Sequence, residues 1–214
     1  MKKNILITGI TGQDGIFLVN ELLTYEENVE IVGFSRQKNN QNFFNKLSYL
    51  NPKLNLDNLK IININQSHQI EVDDFISNYK PNFIYNFTGP SSVYESIENP
   101  LTTSKEMIQN FIILIHALVK NNSPVSFFQP SSSEMFDNNI KEPLNEKSYL
   151  NPRSSYALSK FHIFKLCEIL RKKYDWNINS GILFNHESEF RNNNYLIMKI
   201  IDKAFRIKKK DILC

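Results

Sequence analysis

One turn constrains this chain more than any other segment. Thr8-Gly9-Ile10-Thr11-Gly12-Gln13-Asp14-Gly15 follows a short apolar run at 5–8. It leads into Phe17, Leu18, Leu22 and Leu23, which recur at helical spacing. A strand that feeds a glycine turn and then a helix presents backbone N–H groups at a helix N-terminus. An anion is stabilised there, and glycines let the backbone come close to it. The spacing, G-x-x-G-x-x-G, is a weak sign alone. Yet three of only six glycines in the chain fall in this one turn at the first strand–helix junction. That context favours a site for a dinucleotide pyrophosphate over a plain tight turn. Gly9, Thr11, Gly12, Gln13, Asp14 and Gly15 are therefore candidate cofactor contacts.

The rest of the chain repeats the alternation. Strands are expected at 30–34, 60–64, 83–87, 126–129 and 178–184. Helices are expected at 73–78, 103–120, 153–174 and 194–207. The stripe Met107, Phe111, Leu114, Ile115 and Leu118 marks the longest of these, and His116, on the same helix, is expected to be packed. Strands alternating with helices imply a doubly wound parallel sheet of the Rossmann type, an α/β fold. No repeat or proline-rich linker interrupts it, so one domain over 1–214 is expected. Asparagine clusters at 39–45, 121–122, 138–139 and 192–194 fall between periodic segments and read as loops.

Composition excludes several classes. With 25 basic and 22 acidic residues the net charge is +3, too near neutral for nucleic acid to be the main partner. The basic run Arg206, Lys208, Lys209, Lys210 reads as a solvated helix end. No apolar stretch approaches the roughly 18 residues of a membrane span, and the start of the chain lacks a signal-peptide pattern. Cys167 and Cys214 support neither a disulfide framework nor a zinc site, which fits a cytoplasmic protein. No metal is expected: His186 has no second ligand at metal spacing.

The end of the second strand chooses between cofactors. A carboxylate there would bond the adenosine ribose 2′-hydroxyl, and an arginine would accept a 2′-phosphate. The chain has Ser35-Arg36-Gln37-Lys38, so NADP is expected over NAD, with Arg36 as the contact. Tyr156-Ala157-Leu158-Ser159-Lys160 places a phenol and an ammonium on one helical face. Positive charge favours the phenolate, which then serves as a base at neutral pH. Gln129-Pro130-Ser131-Ser132-Ser133-Glu134 ends the fifth strand, where chemistry sits in open α/β sheets. It offers the Ser132 hydroxyl and the Glu134 carboxylate.

Together these segments resemble the extended short-chain dehydrogenase/reductases, and within them the GDP-mannose 4,6-dehydratases. The segments that carry the resemblance are Ile7-Thr8-Gly9 through Gly15, Pro152-Arg153-Ser154-Ser155-Tyr156 through Lys160, and Gly181-Ile182-Leu183-Phe184-Asn185-His186-Glu187-Ser188. The last is the most specific. The resemblance runs from about residue 4 to about 201 and covers roughly the first three-fifths of a family member, so the substrate lobe is expected to be missing after about 190. It implies a redox-neutral dehydration of GDP-mannose to a 4-keto-6-deoxy sugar. Tyr156 would deprotonate the sugar 4-hydroxyl as hydride passes to NADP. Lys160 would lower the tyrosine pKa and hold the nicotinamide ribose. Glu134 would take the C5 proton and help expel the C6 hydroxyl. Ser132 stands where the family has a threonine. Asn65, Gln66, Phe87 and His186 complete the implied cofactor contacts. Asn185, Ser91 and Lys199 are the implied contacts to the nucleotide-sugar. In relatives the helices equivalent to 103–120 and 153–174 pair across a dimer, so a homo-oligomer is implied.

The chain departs from the family in places. Asn65 replaces the usual aspartate near the adenine. Glu189-Phe190-Arg191-Asn192 replaces a Pro-Arg-Arg-Gly continuation, and Thr88-Gly89-Pro90 differs from the family's smaller residues. Two alternatives stay open: a related nucleotide-sugar epimerase or reductase, and a truncated, non-catalytic NADP-binding protein.

Overall fold

A computed structural model describes residues 2–141 and 143–209; Met1, Lys210 and Cys214 lie outside the described residues. Six parallel strands form one sheet in the order β3-β2-β1-β4-β5-β6. They are β1 (Lys3–Thr8), β2 (Val29–Ser35), β3 (Leu59–Asn63), β4 (Phe83–Asn86), β5 (Ser126–Ser132) and β6 (Ile178–Leu183). The helices are α1 (Gln13–Tyr25), α2 (Gln41–Leu50), α3 (Gln69–Tyr79), α4 (Val93–Glu98), α5 (Pro100–Lys120), α6 (Ser155–Tyr174) and α7 (Leu196–Lys208). The chain steps outward from β1 to β3, then returns to β4 beside β1 and continues to β6. Right-handed crossovers therefore place α1 and α2 on one face and α3, α5 and α6 on the other. The strand order reverses between β1 and β4, and their carboxyl ends diverge into a crevice.

The doubly wound fold expected from the sequence is present, with differences at its edges. The asparagine-rich stretch at 39–45 is not all loop. From Gln41 it is α2, because Phe43 and Leu47, one turn apart, are both buried while the asparagines face outward. The short α4 has no counterpart in the expected set; the Ser92 hydroxyl caps it by accepting from the Glu95 N–H at 3.1 Å. Helix α5 begins at Pro100, whose missing N–H is harmless in a first turn. Strand β5 runs through Pro130 to Ser132, beyond the expected end at 129.

Met107, Phe111, Leu114, Ile115 and Leu118 are buried as the α5 stripe requires, and they share one core with Leu6, Ile84 and Phe127 of the central strands. His116 is not packed: its side chain is 59% exposed, with Nδ1 4.0 Å from an Asp73 carboxylate oxygen. It falls one residue outside the buried arc of α5. No helix among the described residues is long and apolar enough to cross a membrane.

The chain divides into two compact units, Met1–Phe184 and Asn185–Cys214, where the sequence suggested one domain. The first holds the whole sheet. The second holds α7 and the segment before it, in which Arg191 pairs with Glu187 at 3.4 Å and its guanidinium stacks 3.7 Å from the centre of the Tyr195 ring.

Candidate active site

The glycine turn is fixed from three sides. Gly9 has a left-handed φ of 66°, and a side chain there would run into the Phe87 backbone carbonyl. The Gly12 N–H closes on the Gly9 carbonyl at 2.9 Å, and Gly12 then caps α1 with no side chain of its own. Gly15 lies against the Ile10 backbone, where a methyl would collide with the carbonyl. Ile10 is fully buried and rests on Gly33 of β2, which has no side chain to exclude it. An apolar residue thus pins the turn to the sheet and leaves the first N–H groups of α1 directed outward.

Beside the turn lies a cleft of about 280 Å³. It brings together Gly9, Thr11, Gly12, Arg36, Asn65, Gln66 and Phe87 of the expected cofactor contacts. Gln13, Asp14 and Gly15 belong to the turn and first helical residues beside it. Asn65 is occupied locally: its carbonyl oxygen accepts from the Ser67 hydroxyl at 2.8 Å and the Ser67 N–H at 3.2 Å. Arg36, with a side chain 70% exposed, donates to the Glu106 carboxylate of α5 at 2.6 Å.

Gln66, which lines this cleft, belongs to a feature that the sequence did not reveal. Thr8 and Gln66 both donate to the Asn86 side-chain oxygen, at 2.6 and 3.2 Å. The Asn86 amide donates to Gln129 at 2.7 Å, and the Gln129 amide donates to the Pro130 carbonyl at 3.3 Å. All four side chains are buried, at 3% exposure or less. Lys160 donates to the same Pro130 carbonyl at 2.9 Å. A row of amides therefore crosses the carboxyl ends of β1, β4 and β5 and stops at the lysine. Each member is a polar residue in or beside an apolar strand, a signal that becomes legible once the strand register is known. Gln66 and Asn110 line the cleft, and their side-chain oxygens, Oε1 and Oδ1, are buried with no hydrogen-bond partner among the described residues. Buried polar atoms are normally paired, so the two mark where a ligand's N–H or O–H groups would fit.

Tyr156 and Lys160 sit in the first turns of α6, which the Ser154 hydroxyl caps by accepting from the Ala157 N–H at 3.0 Å. The Lys160 ammonium lies 5.7 Å from the centre of the Tyr156 ring. Burial pushes its pKa down to about 8, opposed by the Asp14 carboxylate of the turn. The residue as a whole is only half-buried. Ser132 ends β5, buried, and its hydroxyl accepts from the Glu134 N–H at 3.2 Å. Glu134, in the 3-10 turn Ser133–Met135, is exposed and lines a separate hollow of about 200 Å³ with Arg153 and Ser154. The Tyr156–Lys160 pair thus meets β5 and feels the Asp14 carboxylate, and Glu134 opens on a neighbouring hollow.

The three expected substrate contacts are divided between the two units. Ser91 is exposed in the loop between β4 and α4. Asn185, His186 and Lys199 belong to the second unit, all exposed, with Lys199 on α7.

Known proteins resemble this chain in sequence and in fold. A family model described as GDP-mannose 4,6 dehydratase matches residues 6–213. GDP-mannose 4,6 dehydratase 1 of Arabidopsis thaliana is 33% identical over 97% of the chain, and GDP-mannose 4,6-dehydratase of Vibrio cholerae is 30% identical over 94%. The chain spans 58% and 54% of the lengths of these two relatives. Among solved structures, a UDP-N-acetylglucosamine 4-epimerase from Methanobrevibacter ruminantium superposes with a TM-score of 0.80 at 21% identity, covering 96% of this chain and 64% of that one. RMD from Pseudomonas aeruginosa, complexed with NADPH, superposes at 0.78 with 17% identity, covering 99% of this chain and 64% of that one. These likenesses carry the fold. With the family model spanning nearly the whole sequence, the chain belongs to the GDP-mannose 4,6-dehydratase family.

Proposed function

We propose that the chain forms the dinucleotide-binding and catalytic part of a nucleotide-sugar dehydratase that converts GDP-mannose to its 4-keto-6-deoxy product. One observation carries this reading. The Lys160 ammonium lies 5.7 Å from the Tyr156 ring centre and donates to the Pro130 carbonyl of β5, within the field of the Asp14 carboxylate at the start of α1. A nicotinamide dinucleotide fits the cleft: the turn is bare of side chains where a pyrophosphate would approach, and Gln66 and Asn110 hold two unpaired acceptors. Gly9, Thr11, Gly12, Arg36 and Gln66 would hold it, with Arg36 favouring NADP. When bound, it supplies a reversible hydride acceptor.

The chain's own residues would supply the acid–base steps. Tyr156, as phenolate, takes the proton from the sugar 4-hydroxyl; the nearby ammonium stabilises that charge. Ser132 offers a hydroxyl at the end of β5 that can bond the same sugar oxygen. Glu134 takes the C5 proton and returns a proton to the departing C6 hydroxyl, which leaves as water. Asn185, with Ser91 and Lys199, would meet the nucleotide-sugar, and His186 would shape the turn at Asn185 and meet the cofactor. Pairing of α5 and α6 with a second copy belongs to the same reading, since Ile112 and Leu158 are exposed on these helices; light scattering showing a monomer would remove that part. The free, buried Cys167 fits a reducing, cytoplasmic setting.

Incubation with GDP-mannose and NADP, followed by detection of a 4-keto sugar, tests the proposal. Tyr156→Phe is expected to slow product formation about 10²- to 10⁴-fold while dinucleotide affinity stays within about threefold, because a binding contact and a proton acceptor are separable. Product that survives this substitution overturns the assigned base. Dinucleotide binding without any product from the intact chain favours the non-catalytic alternative.

A further inference from the structure

We infer that Glu106 is a selectivity residue for the adenosine end of the dinucleotide, acting as a counter-ion that a 2′-phosphate must displace from Arg36. This rests on the dinucleotide reading above. Among the described residues Arg36 is the one cation that lines the cleft, and its guanidinium is already held by the Glu106 carboxylate at 2.6 Å. The contact joins elements seventy residues apart in sequence, so it is built by the fold rather than by local spacing. The backbone that carries Arg36 is set in place: the Ser35 hydroxyl donates to Asn40 at 2.9 Å and accepts from the Gln37 N–H at 3.1 Å. Glu106 stands one helical turn before Asn110 on α5, so both share the face of that helix that reaches the cleft. Its side chain is 30% exposed, less than half the exposure of its partner.

The chemistry of this corner is unusual for a phosphate site. It offers acceptors in excess: the Glu106 carboxylate held on Arg36, and the buried side-chain oxygens of Gln66 and Asn110, which have no hydrogen-bond partner among the described residues. Acceptors suit the hydroxyls and exocyclic amine of an adenosine. A 2′-phosphate brings up to two negative charges beside a carboxylate, and gains the arginine only by breaking the existing pair. Arg36 alone would give a strong preference for NADP. Arg36 held by Glu106 gives a modest one, and the carboxylate keeps NAD admissible.

The test uses the whole chain and four probes, 2′,5′-ADP, 5′-AMP, NADP and NAD, titrated by calorimetry at low salt. Glu106→Gln keeps the length and the hydrogen-bonding end of the side chain and removes the charge. It is expected to tighten 2′,5′-ADP and NADP about 3- to 10-fold, with 5′-AMP and NAD within about twofold. The gain is expected to shrink at 0.5 M salt, since the pair is near the surface. Arg36→Ala is expected to weaken 2′,5′-ADP about tenfold or more and to shrink the gain from Glu106→Gln in the double variant, where only the direct repulsion between carboxylate and phosphate is left to relieve. An unchanged or lower 2′,5′-ADP to 5′-AMP ratio in Glu106→Gln overturns the inference while the dinucleotide reading stands. Failure of the unaltered chain to bind any of the four probes overturns both.

Discussion

The two ends of the crevice are built from different materials. The end proposed to bind the dinucleotide is made of backbone: Gly9 against the Phe87 carbonyl, Gly12 capping α1, Gly15 against Ile10, and the Ile10 side chain wedged over Gly33. The end proposed as catalytic is made of side chains: Lys160 on the Pro130 carbonyl, Tyr156 beside it, Ser132 at the end of β5 and Glu134 in the turn that follows. Backbone in contact with backbone has no rotamer with which to yield, so a single added methyl must move the chain. A side chain on a strand can gain a methyl and keep its functional oxygen. The difference shows where the sequence is rigidly specified and where it can drift without losing the chemistry.

Adding one methyl at each end tests that contrast. Gly15→Ala should have the largest effect. The new carbon meets the Ile10 carbonyl, so we expect dinucleotide affinity to fall more than about 100-fold and the unfolding midpoint to drop by roughly 5 °C or more. Affinity within threefold of the unaltered chain would break the comparison at its stronger end.

Lys160→Met probes the side-chain end through pH. Burial holds the folded pKa near 8, below the value of about 10.5 for a free lysine. The folded state therefore binds fewer protons between these values, and the penalty of burying the charge is complete below pH 8 and fades as pH rises to 10.5. Relative to the methionine variant, the unaltered chain should gain about 3 kcal/mol across that window. Cys167, pushed up to about 11 by burial, and Tyr79, raised by burial, shift stability the opposite way at high pH. Both are present in each protein, so the difference between the two denaturant midpoints isolates Lys160. A flat difference from pH 7.5 to 10.5 would show that the ammonium is not desolvated.

Ser132→Thr should have the smallest effect. Ser132 is in extended backbone, φ −145° and ψ 145°, where a β-branched side chain is at ease and the hydroxyl that accepts from the Glu134 N–H is retained. Stability within about 1 kcal/mol of the unaltered chain and a turnover within about threefold are expected. A cost comparable to that of Gly15→Ala would erase the distinction between the two ends.

What the sequence disclosed follows the same division. The turn was legible because glycines concentrated at a strand–helix junction have few other uses, and Tyr156 and Lys160 because four residues make one helical turn. The α5 stripe was legible by its period. Helix α2 was hidden because its composition is that of a loop and its burial rests on Phe43 and Leu47 alone. The Arg36–Glu106 pair and the amides of Asn86 and Gln129 were hidden for a deeper reason. Their partners are set by strand order and register, which no local pattern encodes.

The amide row has a consequence for how substitutions combine. Asn86 accepts on its oxygen and donates from its nitrogen, and Gln129 does the same in the same sense, so neither amide can flip without stranding its neighbours. Energetically Thr8, Gln66, Asn86 and Gln129 form one indivisible object. Truncating the first leaves buried groups unpaired; truncating its neighbour removes a group that is already unpaired. Damage to the row saturates, and the second lesion beside the first is nearly silent.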